Sequence, residues 1–269
     1  MRDLVLFILI SVSVASCQKN VVTGRSQLLL VDEVELQKLS LQQYHDFLSK
    51  NKIVGPGFST DQARVERVGK RLAHAIGVYY TNQGKPEVVK DFHWEFNLVE
   101  NKEANAWCMP GGKVVVYTGL LPIASNDDAL AVVMGHEIAH ALADHGNERM
   151  SQAMLQQLGG EALSVALINK PGLTRDLFLQ AYGVGSTLGG TLPFSRKQEL
   201  EADRYGLIMA ALAGYDPSEA VVFWQAMAKH AEGRSSPEWL STHPSDEKRI
   251  EQVRIYVVEA KKYYNPKNQ

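Results

Sequence analysis

The chain has 269 residues, a formal net charge of −2 and 45% hydrophobic residues. This length and apolar content are sufficient to bury the core of one sizeable domain. The near-zero charge provides no basic field for a phosphate backbone, so no nucleic-acid partner is expected. The two cysteines exclude a disulfide framework. Cys108 is expected to be a small buried hydrophobe, with a regulatory thiol as the alternative.

The N-terminal segment has the pattern of a lipoprotein signal. Its apolar run from Leu4 to Val14 is too short to span a bilayer stably and predicts a signal peptide at residues 1–16. The sequence Val14-Ala15-Ser16-Cys17 resembles a bacterial lipobox, which predicts cleavage before Cys17 and lipidation of its thiol. Gln18, with no acidic run behind it, favours an outer-membrane lipoprotein that faces the periplasm of a Gram-negative cell. The alternative is an ordinary signal peptide or anchor with an incidental cysteine.

The remainder is predicted to be a short tether at residues 17–27 and a single domain at residues 28–265. Apolar residues at helical spacing between Val31 and Lys50 predict an amphipathic helix capped by Asp32. A second helix is predicted from Thr60 or Asp61 to about Tyr80. No span long and apolar enough to cross a membrane is expected in this domain.

A strand and a hairpin are predicted next. Aromatic and apolar side chains alternate with more polar ones at Phe92, Trp94, Phe96 and Leu98, as in a half-buried strand. Residues 105–118, broken by Pro110-Gly111-Gly112, predict two short strands and a turn. Proline is tolerated on an edge strand rather than a central one, so part of this hairpin is expected to be exposed. An exposed edge beside the zinc would let a peptide substrate add as a strand. The alternative is that the proline and glycines form only a turn.

The next predicted helix contains two histidines that can bind a metal ion and a glutamate that can act as a general base. It is predicted to begin after Ser125 or Asn126 and to contain His136-Glu137-Ile138-Ala139-His140. Residues four apart in a helix lie about 40° apart around its axis and about 6 Å apart along it, so His136 and His140 can bind one metal ion. Zinc held in this way activates a water molecule, and Glu137 can take up its proton and pass it to the leaving amine.

A third ligand is expected from the segment Ser195 to Asp203. If this segment is helical, Glu199 and Asp203 share a face and Glu201 points away from both, so Glu199 is assigned as the ligand. A shift in register would make Glu201 the ligand instead. Asp203 is expected to orient a ligating imidazole through its other ring nitrogen. Glu201 is expected to be a solvated or capping acid. His145 would lie about 140° from His140 in a continuous helix and is interpreted as structural.

The regions around these segments are predicted to be helical. Residues 150–194 are rich in glycine and small residues, which favours packed helices with a flexible part that resembles a lid. Further helices are predicted from Glu199 to Ala213, from Pro217 to Glu232 and from Ser245 to Lys262.

Several ordered blocks of residues resemble the M48 family of zinc metallopeptidases, and in particular its soluble cell-envelope branch. The resemblance spans about residues 60–255 and is far more specific than the pentapeptide alone. The blocks are Asn105-Ala106 ahead of Pro110 to Leu121, His136-Glu137-x-x-His140, Ser195-Arg196-x-x-Glu199-x-x-x-Asp203, and Thr242-His243-Pro244-Ser245 before Arg249-Ile250.

The resemblance implies a mainly helical α+β fold of the zincin (gluzincin) type, with a small sheet whose edge strand borders the active site. It also implies one zinc ion per chain, bound by His136, His140 and Glu199, with Glu137 as the general base. The expected function is that of a zinc-dependent endopeptidase of the bacterial cell envelope. Its expected substrates are unfolded or misassembled envelope proteins, and a lipid anchor would hold it at the membrane.

His243 lies in a loop that, by resemblance, approaches the active site, and three roles are open to it. It could stabilise the oxyanion of the transition state, occupy the fourth zinc position and hold the enzyme inactive, or be purely structural. Two other functions remain as alternatives to the peptidase. One is a non-hydrolytic chaperone or assembly factor with an occluded zinc site, and the other is hydrolysis of a non-peptide amide.

Overall fold

A computed structural model describes residues 17–55, 60–158, 171–182, 184, 195–231, 239–240, 243 and 247–266. The predicted signal peptide lies outside the described residues, as does most of the glycine-rich segment for which a lid was predicted. Among the described residues, no helix combines the length and the hydropathy needed to cross a membrane.

Helices contain 65% of the described residues, and the strands form small sheets. This confirms the predicted fold class. We number them in chain order, as follows: β1 (Cys17–Lys19), β2 (Ser26–Leu28), α1 (Glu33–Lys50), α2 (Thr60–Asn82), β3 (Glu95–Val99), β4 (Ala106–Met109), β5 (Lys113–Tyr117), α3 (Asp127–Leu142), α4 (His145–Leu158), α5 (Pro171–Ala181), α6 (Arg196–Leu212), α7 (Glu219–Ala231) and α8 (Glu247–Ala260).

The three-stranded sheet has the order β3-β5-β4, with β3 parallel and β4 antiparallel to the central β5. The predicted hairpin is therefore present, and Pro110 lies in its turn. Gly111 and Gly112 have φ of +76° and +81°, a backbone conformation that favours glycine. The strand predicted around Phe96 begins only at Glu95, and Phe92 packs against Trp94 ahead of it, with ring centroids 4.9 Å apart. Strand β4 is an edge strand that packs against α3, and since every residue of β4 and β5 is buried, the expected exposure of this hairpin is wrong.

Helices α3 and α6 form the centre of the domain, and two glycines let their backbones meet. A Cβ atom on Gly206 would lie 2.7 Å from the backbone nitrogen of His136, and one on Gly135 would lie 2.7 Å from the carbonyl oxygen of Gly206. Only glycine permits this approach. The contact places the buried face of α6 directly against the part of α3 that carries the two motif histidines.

Residues 17–27 do not form the predicted tether, because β1 and β2 pair as an antiparallel hairpin. Asn20 stabilises the turn by accepting hydrogen bonds from the backbone N–H groups of Val22 and Thr23, and Gly24 has a φ of +69°. The hairpin also packs on the domain, since the side-chain amide of Gln27 donates to the carbonyl oxygen of Ala143 at 2.6 Å. These polar side chains have buried partners that no tether would need.

Candidate metal centre

Helix α3 carries the motif into the protein interior. Asn126, rather than Ser125, is its N-cap, because its side chain accepts a hydrogen bond from the backbone N–H of Ala129. His136, Glu137 and His140 are only 3%, 3% and 4% exposed. Burial of three polar side chains on one helix requires compensating partners.

Helix α6 supplies two of those partners. Ser195 and Gln198 form a capping box that fixes the first turn of the helix. Glu199 and Asp203 follow on the face turned towards α3 and are 2% and 4% exposed. The side chain of Glu201, at 16% exposed, lies on another face of the helix, as its spacing predicts.

Four potential donor atoms converge between α3, α6 and His243. The ligand atoms of His136, His140, Glu199 and His243 all lie within 4.8 Å of one another, and all four residues are buried. The Nε2 atoms of His136 and His140 are 3.0 Å apart, and Glu199 Oε1 lies 3.3 Å from His140 Nε2. Tetrahedral zinc with bonds of about 2.0–2.2 Å keeps its ligand atoms about 3.3 Å apart, so the residues present fit zinc.

His243 lies at the cluster itself. Its Nδ1 atom is 2.9 Å from Glu199 Oε1 and 3.2 Å from His136 Nε2, and its backbone N–H donates to the carbonyl oxygen of Trp239. The residue is 2% exposed. This arrangement provides a fourth donor beside the three residues expected to bind the metal.

A buried ion-pair network lies behind the donors. Asp203 Oδ1 is 3.0 Å from His136 Nδ1, the ring nitrogen that does not face the cluster. Arg249, on α8, pairs with Asp203 through its Nε atom at 2.7 Å and with Glu199 through another guanidinium nitrogen at 2.5 Å. The planar guanidinium thus holds two carboxylates in a fixed relation, and it also lies 3.8 Å from the ring centroid of Trp224.

The charges around Glu199 and His140 favour metal binding, whereas at His136 the lowering of the pKa by burial is outweighed by Asp203 and Glu199, which raise it. Burial alone would raise the pKa of the Glu199 carboxyl, but Arg249, and His243 after it, hold that pKa well below its usual range. Burial lowers the pKa of His140 well below the usual value, which favours the neutral imidazole. A deprotonated carboxylate and a neutral imidazole are the forms that ligate zinc.

The sequence-based interpretation of His145 as merely structural is incomplete. Helix α3 ends before Asp144, which adopts a left-handed φ of 54°, and His145 begins α4. The angle calculated for a continuous helix therefore does not apply. His145 is fully buried, and its Nδ1 atom lies 2.8 Å from His140 Nδ1.

Glu201 likewise is not the solvated or capping acid that its position suggests. Its carboxylate accepts hydrogen bonds from His145 Nε2 at 3.0 Å and from Arg25 Nε at 2.9 Å. Since both partners come from elsewhere in the chain, only the folded structure shows why an acid is present here.

Trp239 is a site residue that the sequence reasoning did not single out. Its indole N–H donates to Glu137 Oε1 at 2.7 Å, and its ring stacks on that of Trp224 with centroids 4.9 Å apart. The signal available in the sequence was weak, because a lone tryptophan four residues before His243 does not indicate a partner in α3.

Cys108 is buried in edge strand β4, as expected. Burial, and after it the negative charge of Glu137, raises the pKa of the thiol well above its usual value. A thiol with a raised pKa is not a reactive thiolate, which disfavours the regulatory alternative. Strand β4 also lies close to the candidate site, because it packs against α3, the helix that carries Glu137.

Comparison with known proteins agrees with this geometry. Residues 59–257 match the sequence model of Peptidase family M48. The chain is 35% identical over 249 residues to the mitochondrial metalloendopeptidase OMA1 of Bos taurus, which covers 90% of this chain and 46% of that protein. It is 39% identical over 160 residues to the mitochondrial metalloendopeptidase OMA1 of Arabidopsis thaliana, covering 58% of this chain and 30% of that protein.

A bacterial protein is also similar. The beta-barrel assembly-enhancing protease of Escherichia coli is 32% identical over 168 residues, which cover 61% of this chain and 34% of that protein. The chain spans about half the length of the bovine OMA1 protein that it matches, at 46%.

Proposed function

The chain belongs to peptidase family M48, and on this premise we propose that it is a zinc-dependent endopeptidase. The observation that carries the proposal is the cluster of donor atoms from His136, His140, Glu199 and His243, placed within 4.8 Å of one another beside Glu137. The first three residues would hold one zinc ion per chain. When bound, zinc supplies a Lewis acid that polarises the scissile carbonyl and lowers the pKa of water.

Glu137 is the general base in this proposal. It follows the first motif histidine, so its carboxylate flanks the donor cluster without belonging to it. Glu137 takes up a proton from the attacking water and delivers it to the leaving amine. Trp239 keeps one carboxylate oxygen in place through its N–H group at 2.7 Å, which restricts the directions in which Glu137 can accept the proton.

We assign His243 to the fourth zinc position in the resting enzyme. Its Nδ1 atom lies 2.9 Å from Glu199 and 3.2 Å from His136, within the donor set itself. As a fourth ligand His243 would take the place of the attacking water, so its side chain would have to withdraw before hydrolysis. His243→Ala is therefore expected to raise casein cleavage at unchanged zinc content. A fall in kcat would instead indicate oxyanion stabilisation, and unchanged activity a structural role.

The proposed substrates are unfolded or misassembled proteins of the cell envelope. An extended peptide would add as a strand to β4, at the edge of the sheet beside the donor cluster, because backbone hydrogen bonds to a strand edge require little side-chain selectivity. All four residues of β4 are buried, so this edge must first be uncovered. The similarity to a beta-barrel assembly-enhancing protease supports a role in envelope protein quality control.

The proposed location is the periplasmic face of an outer membrane, through a lipid on Cys17. The support is the apolar run from Leu4 to Val14 and the small residues that precede the cysteine. Cys17→Ser is expected to abolish acyl labelling and to release the protein from membranes. Persistence of the variant on the membrane would contradict the anchor.

The catalytic proposal is tested by Glu137→Gln, which preserves the size of the side chain and removes its basicity. The variant is expected to bind zinc as the wild type does and to lose cleavage of casein. Unchanged cleavage would refute the assigned mechanism. The alternative is a non-hydrolytic chaperone, favoured by the position of His243 on the donor cluster. It predicts that neither protein cleaves casein and that both suppress its aggregation equally.

A further inference from the structure

A chain of polar contacts runs from the proposed metal ligand His140 to the N-terminal hairpin. His140 Nδ1 lies 2.8 Å from His145 Nδ1, and His145 Nε2 lies 3.0 Å from Glu201 Oε2. Arg25, in the hairpin, donates from Nε to both carboxylate oxygens of Glu201, at 2.9 and 3.0 Å. Residues of α4, α6 and the hairpin thus form one chain of contacts that ends at the imidazole of His140.

The direction of these hydrogen bonds follows from the requirements of ligation. To bind a metal through Nε2, His140 must keep a lone pair there and carry its proton on Nδ1. The Nδ1 atom of His145 must then be the acceptor, so His145 carries its own proton on Nε2. That proton points at the Glu201 carboxylate, which can only accept when ionised. Each partner therefore selects the tautomer of the next.

Arg25 fixes the far end of this chain. Its two terminal nitrogens donate to Glu148 at 2.6 and 2.7 Å, while its Nε atom holds Glu201, so one guanidinium joins α4 to α6. Gln198 also donates to Glu148 at 2.7 Å. The hairpin is further held by Asn20, which donates to the carbonyl oxygen of Leu142 at the end of α3.

We propose that His145 and Glu201 are positioning residues for the zinc ligand His140, and that Arg25 of the N-terminal hairpin fixes the position of Glu201, so that zinc affinity depends on the hairpin. The inference rests on the proposed zinc site. It adds a counterpart to the arrangement at His136, where Asp203 acts directly on the other ring nitrogen and is itself held by Arg249.

The two arrangements differ in how deeply they lie. The side chains of Asp203 and Arg249 are 3% and 4% exposed, whereas those of Arg25 and Glu201 are 14% and 16% exposed. Zinc affinity therefore depends on a contact near the protein surface. The contact is made by the first segment of the chain that the structure describes.

The experiment measures the zinc dissociation constant of full-length variants by competition with a chromophoric chelator. Loss of a residue that orients a metal ligand typically weakens binding about 10–100-fold, and this is the effect expected for His145→Leu. His145→Gln retains an acceptor for His140 and a donor for Glu201, so it is expected to restore most of the affinity. Arg25→Gln is expected to weaken binding about 10-fold, at the lower end of that range.

Arg204→Gln is the matched control, because Arg204 lies on α6, as Glu201 does, and forms a bidentate pair with Glu259 of α8, away from the donor cluster. It is expected to lower stability without changing the zinc dissociation constant. The ¹⁵N chemical shifts of the His140 ring provide a second readout. They should report a proton on Nδ1 in the wild type and a mixture of tautomers in His145→Leu and Arg25→Gln.

Equal zinc affinity in wild type, Arg25→Gln and Arg204→Gln would overturn the role of the hairpin. Equal affinity of His145→Leu and His145→Gln would overturn the role of His145. If His145→Leu does not fold, the comparison of Arg25→Gln with Arg204→Gln still decides the role of the hairpin. Failure of the zinc proposal itself is a separate result, because the wild-type chain would then bind no zinc.

Discussion

Gly206→Ala is expected to weaken zinc binding by pushing apart the two helices that carry the ligands. The added Cβ atom would lie 2.7 Å from the backbone nitrogen of His136 and 2.8 Å from its Cα atom. Carbon atoms in good contact are about 3.5–4.0 Å apart, so the backbones must separate by about 1 Å. Zinc sites tolerate errors of only about 0.2 Å in ligand distances, so the separation is several times too large.

The effect on stability is smaller, because two contributions oppose each other. Overpacking of this kind costs about 1–3 kcal/mol. Alanine is more favourable than glycine in a helix by about 1 kcal/mol, which offsets part of the loss. The net free energy of unfolding should therefore fall by about 0–2 kcal/mol, while the zinc dissociation constant rises steeply.

Gly77→Ala is the matched control, since Gly77 lies within helix α2 and a Cβ atom there meets nothing within 4 Å. This variant should raise Tm by about 2–4 °C for each kcal/mol gained and leave zinc affinity unchanged. Both variants are assayed by chelator competition and by thermal unfolding with and without zinc. The reasoning fails if Gly206→Ala binds zinc as tightly as the wild type and is stabilised as Gly77→Ala is.

Three further variants test other contacts of the site. Trp239→Phe removes the hydrogen bond to Glu137. Because hydrogen bonds to charged groups contribute about 1.5–3 kcal/mol, kcat should fall about 10-fold or more at unchanged zinc content. A normal kcat would exclude this contact from catalysis. Arg249→Gln leaves two buried carboxylates, Asp203 and Glu199, without their cation. The free energy of unfolding of the metal-free protein in urea should fall by about 3–5 kcal/mol. A fall in unfolding free energy no larger than that of Arg204→Gln would contradict the network. Burial would raise the pKa of Glu148, but Arg25 and Gln198 hold that pKa below the ordinary value of 4.5. The ionised Glu148 carboxylate therefore stabilises the fold above about pH 4.5, and this stabilisation is lost as the pH falls through the lower pKa of the folded state. The difference in Tm between wild type and Glu148→Gln should thus be largest near neutral pH and shrink in acid, and a difference that grows in acid would refute the sign.

Helical periodicity was sufficient to identify three of the four residues that meet at the donor cluster, whereas His243 was identified only through the family resemblance. His136 and His140 lie four apart on α3, and Glu199 and Asp203 lie four apart on α6, so each pair shares a face regardless of the rest of the fold. The capping signals are equally local, which explains why the predicted helix starts were close to those of the structure.

The contacts that sequence reasoning missed depend on features that periodicity cannot report. His145 reaches His140 because the helix breaks at Asp144, and nothing in a helical pattern predicts a left-handed aspartate at that position. Residues 17–27 form a hairpin instead of the predicted tether, and the partners of Arg25 lie over 120 residues away in the chain, where no local pattern can indicate them. The sequence likewise does not show why Gly135 and Gly206 are glycines, because the reason is the close approach of α3 and α6 in the fold.

The most direct test of the zinc-peptidase account is to restore zinc to wild-type protein that has been stripped with a chelator. The stripped protein should not cleave casein. Activity should rise linearly with added zinc and level off at one equivalent per chain, while Glu199→Gln treated in the same way should recover little. Full casein cleavage by the metal-free protein, or activity that does not depend on the zinc-to-protein ratio, would contradict the account.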